Sequence, residues 1–391
     1  MYKNFEYHVP THIYFGENQL QNLGAELKKY GKNVLAIMGS GRVKTTDWYK
    51  TVIEQVETNG MKFFEYQGVE PNPRCYSVNE IAKLCRKEHI DVLLPIGGGS
   101  VVDCAKLASC ATFYDGNAWD LVIKKAEMTK FLPIVVITTI SGTGTDMDAF
   151  GIVSNPETND KLPFFNYNLF PAATFLDPTI TYSVSPYQTA SGAIDAFSHF
   201  LEVYFMRNNL YVLDRAIEGF MKTILHYIPI VMKEPENYEA RANIMWASSW
   251  ALNGFTFGST GGTPFALHWI EDELSAKYDI THGLGLAIIM PHYLEYCLNE
   301  ETADIYYNFG TNVLDIDKNL SKMDVAKLMI EKLKDLFFNT CSLKPRLSDY
   351  IKDIDESKFD EMARIACRND KINAFITITQ DDVKNILRKC L

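Results

Sequence analysis

The feature that most constrains this chain is a motif repeated through its first half: a short apolar run that ends on a glycine loop and gives way to a helical stretch. Val34-Leu35-Ala36-Ile37-Met38 ends at Gly39-Ser40-Gly41, and a helical pattern through Trp48, Val52 and Val56 follows. A shorter run, Phe63-Phe64-Glu65-Tyr66, comes next. Asp91-Val92-Leu93-Leu94 then leads into Gly97-Gly98-Gly99-Ser100, and the run 132–139 leads into another glycine-containing loop. Strands buried on both faces read as continuous apolar runs, so strand, loop and helix in rotation predict parallel βαβ units. Pro95, which has no N–H to give, predicts that its strand's ladder stops near Leu94.

From about Ser185 the period changes. Apolar residues recur every three or four positions in 189–205, 211–227, 238–255, 265–276 and 323–338, which predicts helices. Residues 374–379 are ambiguous between the two patterns. The fold class is therefore an α/β N-terminal domain with a parallel sheet and nucleotide-binding loops, residues 1–185, followed by an all-helical C-terminal domain, residues 186–391. A chain of 391 residues is also too long for one ordinary core. It has no internal repeat of the kind that marks a solenoid.

Composition excludes partners. With 49 acidic against 38 basic side chains and a net charge of −11, the chain lacks the basic footprint that nucleic acid or an anionic membrane would require. No apolar stretch approaches the ~20 residues of a membrane span, and the first eight residues carry no apolar signal core. Its eight cysteines form no CxxC pair, so reduced thiols and a cytoplasmic location are expected.

Gly97-Gly98-Gly99-Ser100 between a strand and a helix makes an efficient phosphate cradle. Glycines permit close backbone approach and positive φ, and the helix start offers unpaired N–H groups. The same residues also make an ordinary turn. A second loop, Thr138–Thr145, at the end of the next strand strengthens the ligand reading, because open α/β sheets bind ligands at strand carboxyl ends. The GxGxxG fingerprint is absent, since Lys44 stands where the third glycine would be. NAD-selective sites place an acid against the ribose; here Gly39, Ser40, Arg42 and Lys44 occupy that region, which favours NADP(H) over NAD(H).

Asp195 and His199 stand four apart on a helical pattern and so share a face. His268 and His282 lie in further apolar helical segments. Such residues can ligate a divalent metal; each can equally be a core histidine satisfied by a neighbour.

These blocks, in this order, resemble the iron-containing (group III) alcohol dehydrogenases, and within them the NADPH-dependent butanol dehydrogenase branch. The resemblance runs from Phe15-Gly16 to about Leu298. It rests on Glu70-Pro71-Asn72-Pro73, Gly97–Ser100 with Asp103, Thr138–Thr145 and Leu176-Asp177-Pro178. Asp195-Ala196-Phe197-Ser198-His199, Glu273-Leu274-Ser275-Ala276 and Tyr278-Asp279-Ile280-Thr281-His282-Gly283 complete it. It implies an active site in the interdomain cleft and a metal-dependent, NADP(H)-linked interconversion of small primary alcohols and aldehydes. Asp195, His199, His268 and His282 match the ligands of one divalent metal, Fe(II) or Zn(II). Gly97, Gly98, Gly99 and Ser100 match the pyrophosphate loop, Thr138, Thr139 and Ser141 the second cofactor loop, and Gly39, Ser40 and Gly41 the adenosine ribose region, with Asp103 also implied to bind the cofactor. Lys161 matches a lysine near the nicotinamide, with a part in catalysis. Asp272 departs from the pattern: family members often carry a histidine there, and the aspartate becomes a candidate to accept or relay a proton. A homodimer or higher homo-oligomer is implied as well. The alternatives are a same-fold dehydrogenase for a polyol or other specialised substrate, and a catalytically quiet nucleotide-binding relative.

Overall fold

The structure, a computed structural model, describes residues 2–206, 210–260 and 262–391. It resolves into two compact units, His8–Val184 and Ser185–Leu391, the latter joined by the N-terminal segment through Tyr7. That segment is tied to the helical unit by the Lys3 N–H, which donates to the Ser259 carbonyl at 3.2 Å, and by the Tyr7 ring edge-on to Phe255. A reading of apolar periodicity had no means of assigning this short segment to the distant half of the chain.

The first unit runs β1 (His12–Phe15), α1 (Leu23–Leu27), β2 (Asn33–Met38), α2 (Asp47–Thr58), β3 (Lys62–Gln67), α3 (Cys75–Glu88), β4 (Val92–Gly97), α4 (Gly99–Ala111), α5 (Ala118–Val122), β5 (Val135–Thr138), β6 (Phe150–Asn155), β7 (Asp160–Phe165) and β8 (Ala173–Leu176). Six strands form a parallel sheet in the order β1-β8-β5-β4-β2-β3. Side chains alternate across it. Val34, Ala36 and Met38 of β2 pack with Val52 and Val56 of α2 on one face, while Leu35 and Ile37 pack with Val78 and Ala105 of α3 and α4 on the other. Both faces are covered, which is why the strands read as unbroken apolar runs.

Pro95 does not end its strand. It lies inside β4 opposite Ile37, and pairing with β2 continues through Ile96. The cost falls on the other side: toward β5 there is an isolated bridge at Leu93–Ile134, and the ladder resumes at Ile96–Ile137. A missing N–H disturbs only the neighbour it would have faced. The β6–β7 antiparallel hairpin, which the βαβ pattern did not anticipate, stands apart from the main sheet.

The second unit contains α6 (Pro186–Phe205), α7 (Tyr211–Lys233), α8 (Tyr238–Ser249), α9 (Ala266–Tyr278), α10 (His282–Cys297), α11 (Ala303–Asn312), α12 (Lys322–Lys334), α13 (Phe359–Ala366) and α14 (Gln380–Lys389). One continuous core joins them. The ambiguous 374–379 segment contributes to a two-stranded hairpin, Ile372–Asn373 against Thr377–Ile378. α6 packs on both α7 and α10, and α9 on α10. The approach of α10 to α6 is very close: a Cβ at Gly283 would collide with the Ser191 backbone carbonyl. Among the described residues, no helix is long and apolar enough to cross a membrane.

Candidate metal and cofactor sites

α6 presents Asp195 and His199 one turn apart, α9 presents His268 near its start, and α10 opens on His282. Because Gly283 lets the first turn of α10 sit against α6, a residue 87 positions after Asp195 meets it. The Asp195 Oδ1 atom is faced by His199 Nδ1 at 3.4 Å, His268 Nε2 at 3.7 Å and His282 Nε2 at 3.8 Å. Ligand atoms of Asp195, His268 and His282 all lie within 4.8 Å of one another, and the His199 ring lies 4.1 Å from that of His268.

This donor set fits a divalent metal. Asp195 Oδ1 and His199 Nδ1 are buried without a hydrogen-bond partner, and a buried polar atom left unmatched costs on the order of 1–3 kcal/mol. Three imidazoles and one carboxylate converging on a point suit Fe(II) or Zn(II). The electrostatics agree that a positive charge belongs there. Burial works to raise the Asp195 carboxyl, yet the surrounding imidazoles hold it well below the usual carboxylate range. Burial, with the charge of His268 beside it, pulls His199 down to about 3. Burial also opposes charge on His268, but Glu202 and Asp195 outweigh it and push that ring up to about 10.

Two residues of this site were missed in the sequence. Glu202 and Glu271 each stand three positions after a candidate ligand, His199 and His268, on the same helices. Both are buried, and both hydrogen-bond the Nδ1 of a site imidazole: Glu202 that of His268, Glu271 that of His282. A lone acid amid an apolar helical face is a visible signal, since charged side chains are rarely buried unpaired. Asp272 lies next to Glu271, and those two with His282 form a second group whose ligand atoms are within 4.8 Å of one another.

In the α/β unit, the carboxyl ends of β2, β4 and β5 bring together the expected loops. Thr139 N–H donates to the Gly97 carbonyl at 3.0 Å. A Cβ on Gly98 would strike Ile140, and one on Gly99 would strike Thr143. None of Gly97, Gly98 and Gly99 adopts positive φ; glycine is needed here for the close approach of the two loops, and positive φ is found instead at Gly41 and Gly144. Ser100 lies in the first turn of α4, and Ser141 in the second loop. The Thr138 hydroxyl is buried without a hydrogen-bond partner at the end of β5. Ser40, after β2, accepts from the Gln67 side chain at 2.8 Å, and the would-be Cβ of Gly39 lies 3.3 Å from the Val69 carbonyl.

Asp103 is engaged by the protein itself. Its carboxylate accepts from Thr145 Oγ1 at 2.6 Å and from the Ile152 N–H at 3.0 Å. One turn on, Lys106 is fully buried and donates to Thr145 Oγ1, Asp148 Oδ1 and the Phe150 carbonyl, each at 2.7 Å. α4 thus grips the second glycine loop and β6. Lys161, on β7, is also buried; desolvation holds the Asp103 carboxyl above the usual carboxylate range, against the pull of Lys106 and, more weakly, of Lys161. Lys44 is paired with Glu65 at 2.8 Å, and Arg42, the other cation of the β2 loop, is exposed and forms no ion pair among the described residues.

The chain is similar to known proteins over its whole length. A family model described as iron-containing alcohol dehydrogenase matches residues 10–178, and one for the C-terminal part of that family matches 189–391. The chain is 44% identical over 363 residues to the NADH-dependent butanol dehydrogenase B of Clostridium acetobutylicum, covering 92% of each. It is 35% identical over 292 residues to the NADPH-dependent aldehyde reductase YqhD of Escherichia coli, covering 74% of each. The crystal structure of the NADH-dependent butanol dehydrogenase A of Thermotoga maritima superposes with a TM-score of 0.92 at 31% identity, covering 99% of this chain and 98% of that one.

Proposed function

Since this chain belongs to the iron-containing alcohol dehydrogenase family, we propose that it interconverts small primary alcohols and aldehydes, with a nicotinamide cofactor and one divalent metal held by Asp195, His199, His268 and His282. The observation that carries this reading is the convergence of three imidazoles on Asp195 Oδ1, with two buried atoms of the set left unmatched. When bound, the metal supplies a Lewis acid for the substrate oxygen and the nicotinamide supplies or takes the hydride. The protein's part is placement. The Gly97–Ser100 turn and the first N–H groups of α4 receive the pyrophosphate. Thr138, whose hydroxyl has no partner within the protein, and Thr139 and Ser141 after it bind further along the cofactor. Lys161 acts toward the nicotinamide end, and Asp272 accepts or relays the proton that leaves the alcohol.

Turnover of a short aldehyde panel with NADPH and NADH tests this, before and after chelation and after Fe(II) or Zn(II) return. We expect chelation to abolish nicotinamide oxidation and one ion to restore it. Cofactor and metal binding without turnover of any aldehyde would instead favour the catalytically quiet alternative.

For the cofactor, the reading is that NADP(H) is used in preference to NAD(H). The region after β2 carries no carboxylate to repel a 2′-phosphate, and Arg42 offers a charge to it. The butanol dehydrogenase relative is NADH-dependent and the aldehyde reductase NADPH-dependent, so the preference rests on this loop. Arg42→Ala is expected to lower kcat/KM for NADPH by about threefold to tenfold, the value of one exposed charge–phosphate contact, while leaving that for NADH unchanged. Equal losses with both cofactors would remove Arg42 from the 2′ position.

A further inference from the structure

We propose that Glu202 and Glu271 are positioning residues that hold His268 and His282 in the one tautomer able to ligate a metal, an inference that rests on the metal-site reading above. In both rings Nδ1 meets a glutamate carboxylate and Nε2 faces Asp195 Oδ1, at 3.7 Å for His268 and 3.8 Å for His282. An ionised carboxylate only accepts hydrogen bonds. Nδ1 must therefore carry a hydrogen, so that the neutral ring, the form that binds a metal, directs its Nε2 lone pair at the site. A neutral imidazole without such a partner divides between two tautomers and presents an N–H to the metal in one of them.

The glutamates are themselves fixed. Glu202 Oε1 accepts the Leu267 N–H at 2.7 Å, so the residue before His268 anchors the carboxylate that orients His268. Glu271 accepts the Ser275 hydroxyl, and Gly285 is a glycine where any Cβ would strike Glu271 Oε1. Glu202 and Glu271 are 7% and 0% exposed, so water does not compete for either carboxylate. The two pairs arise on different helices: Glu202 of α6 reaches α9, and Glu271 of α9 reaches α10. The ligand-bearing helices are thereby chained together through their histidines. Among the described residues His199 has no such partner, and its Nδ1 is, with Asp195 Oδ1, one of the two unmatched atoms of the set.

The rival reading makes each glutamate a purely structural partner for a buried imidazole. Glu202→Gln and Glu271→Gln separate the two, because glutamine keeps the volume but can donate to Nδ1 and turn the ring over. Co(II) affinity is read by chelator competition and by the d–d spectrum of the bound ion, alongside the Tm of the metal-free proteins. Each variant is expected to bind Co(II) about 10–100-fold more weakly, with an altered spectrum. Glu218→Gln is the control, since Glu218 is buried in the same unit but among the described residues bonds Tyr204, Arg215 and Asn312 rather than a site histidine; its Co(II) affinity should equal that of the unmodified chain. Unchanged affinity in both glutamine variants, or an equal loss in the control, overturns the proposal. Failure of the unmodified protein to bind Co(II) at all would overturn the metal reading, and this inference with it.

Discussion

Asp195→Ala is expected to give a folded protein that retains no stoichiometric Fe(II) or Zn(II) after desalting and loses at least about 10³-fold in kcat/KM. The carboxylate is the only anion among the four candidate ligands, and three imidazole nitrogens stand 3.4–3.8 Å from its Oδ1. Removing it leaves a neutral donor set for a divalent cation and takes away the atom on which the geometry centres. Lewis-acid assistance is worth several kcal/mol of transition-state stabilisation, which sets the scale of the rate loss. The fold should survive, because Oδ1, the oxygen the imidazoles face, has no hydrogen-bond partner among the described residues to leave unsatisfied. Metal content by elemental analysis and Tm with and without added metal check both parts. The unmodified protein should gain Tm with metal and the variant should not. A variant that keeps a full metal equivalent and near-normal turnover would remove Asp195 from the ligand set.

The second large effect lies in the other unit. Lys106→Met is expected to cost about 3–5 kcal/mol of stability at pH 7, the usual price of leaving buried charge uncompensated. Lys106 and Asp148 are 0% and 2% exposed, and Asp103 lies within the same network through Thr145. Burial already drives the Asp148 carboxyl upward against the pull of Lys106, and without the lysine it would rise further. The sign of the pH dependence follows. A carboxyl with a raised folded pKa favours the protonated native state, so stability falls as pH climbs from the unfolded value toward the folded one. The variant's deficit should therefore be largest at neutral pH and shrink as pH is lowered toward 5. Adding Asp148→Asn should recover part of the loss at pH 7, as coupled neighbours do. Denaturant midpoints at the two pH values test this. A deficit independent of pH would mean that lost packing, not stranded charge, is the cause. Because α4 holds the second glycine loop through this network, cofactor affinity should fall along with stability.

Much of the architecture was legible because it depends on local periodicity. Continuous apolar runs ending on glycine marked β2, β4 and β5, and the change to helical spacing near Ser185 coincides with the start of the second compact unit. Asp195 and His199 share a helix, so their common face followed from spacing alone. Pro95 misled, because a strand buried between two neighbours can lose one ladder bond toward β5 while keeping its register with β2. The glycines of the 97–99 turn were right in kind but partly wrong in reason: crowding between two loops, not left-handed φ, excludes a side chain there.

By itself, then, the order of residues marked the strands β2 to β5, the change to helical spacing near Ser185, where glycine loops open, and which side chains could serve a metal. Tertiary structure alone decided the rest. Whether His268 and His282 are satisfied core histidines or members of one site depends on contacts between helices far apart in sequence, made possible by the absence of a Cβ at Gly283. Whether a buried acid such as Glu202 or Glu271 faces a ligand or another part of the chain depends on which partner reaches it first once water is excluded. Spacing along one helix carries no information about that partner, because hydrogen bonds in a dry interior are set by distances of a few ångströms between elements that the sequence keeps far apart.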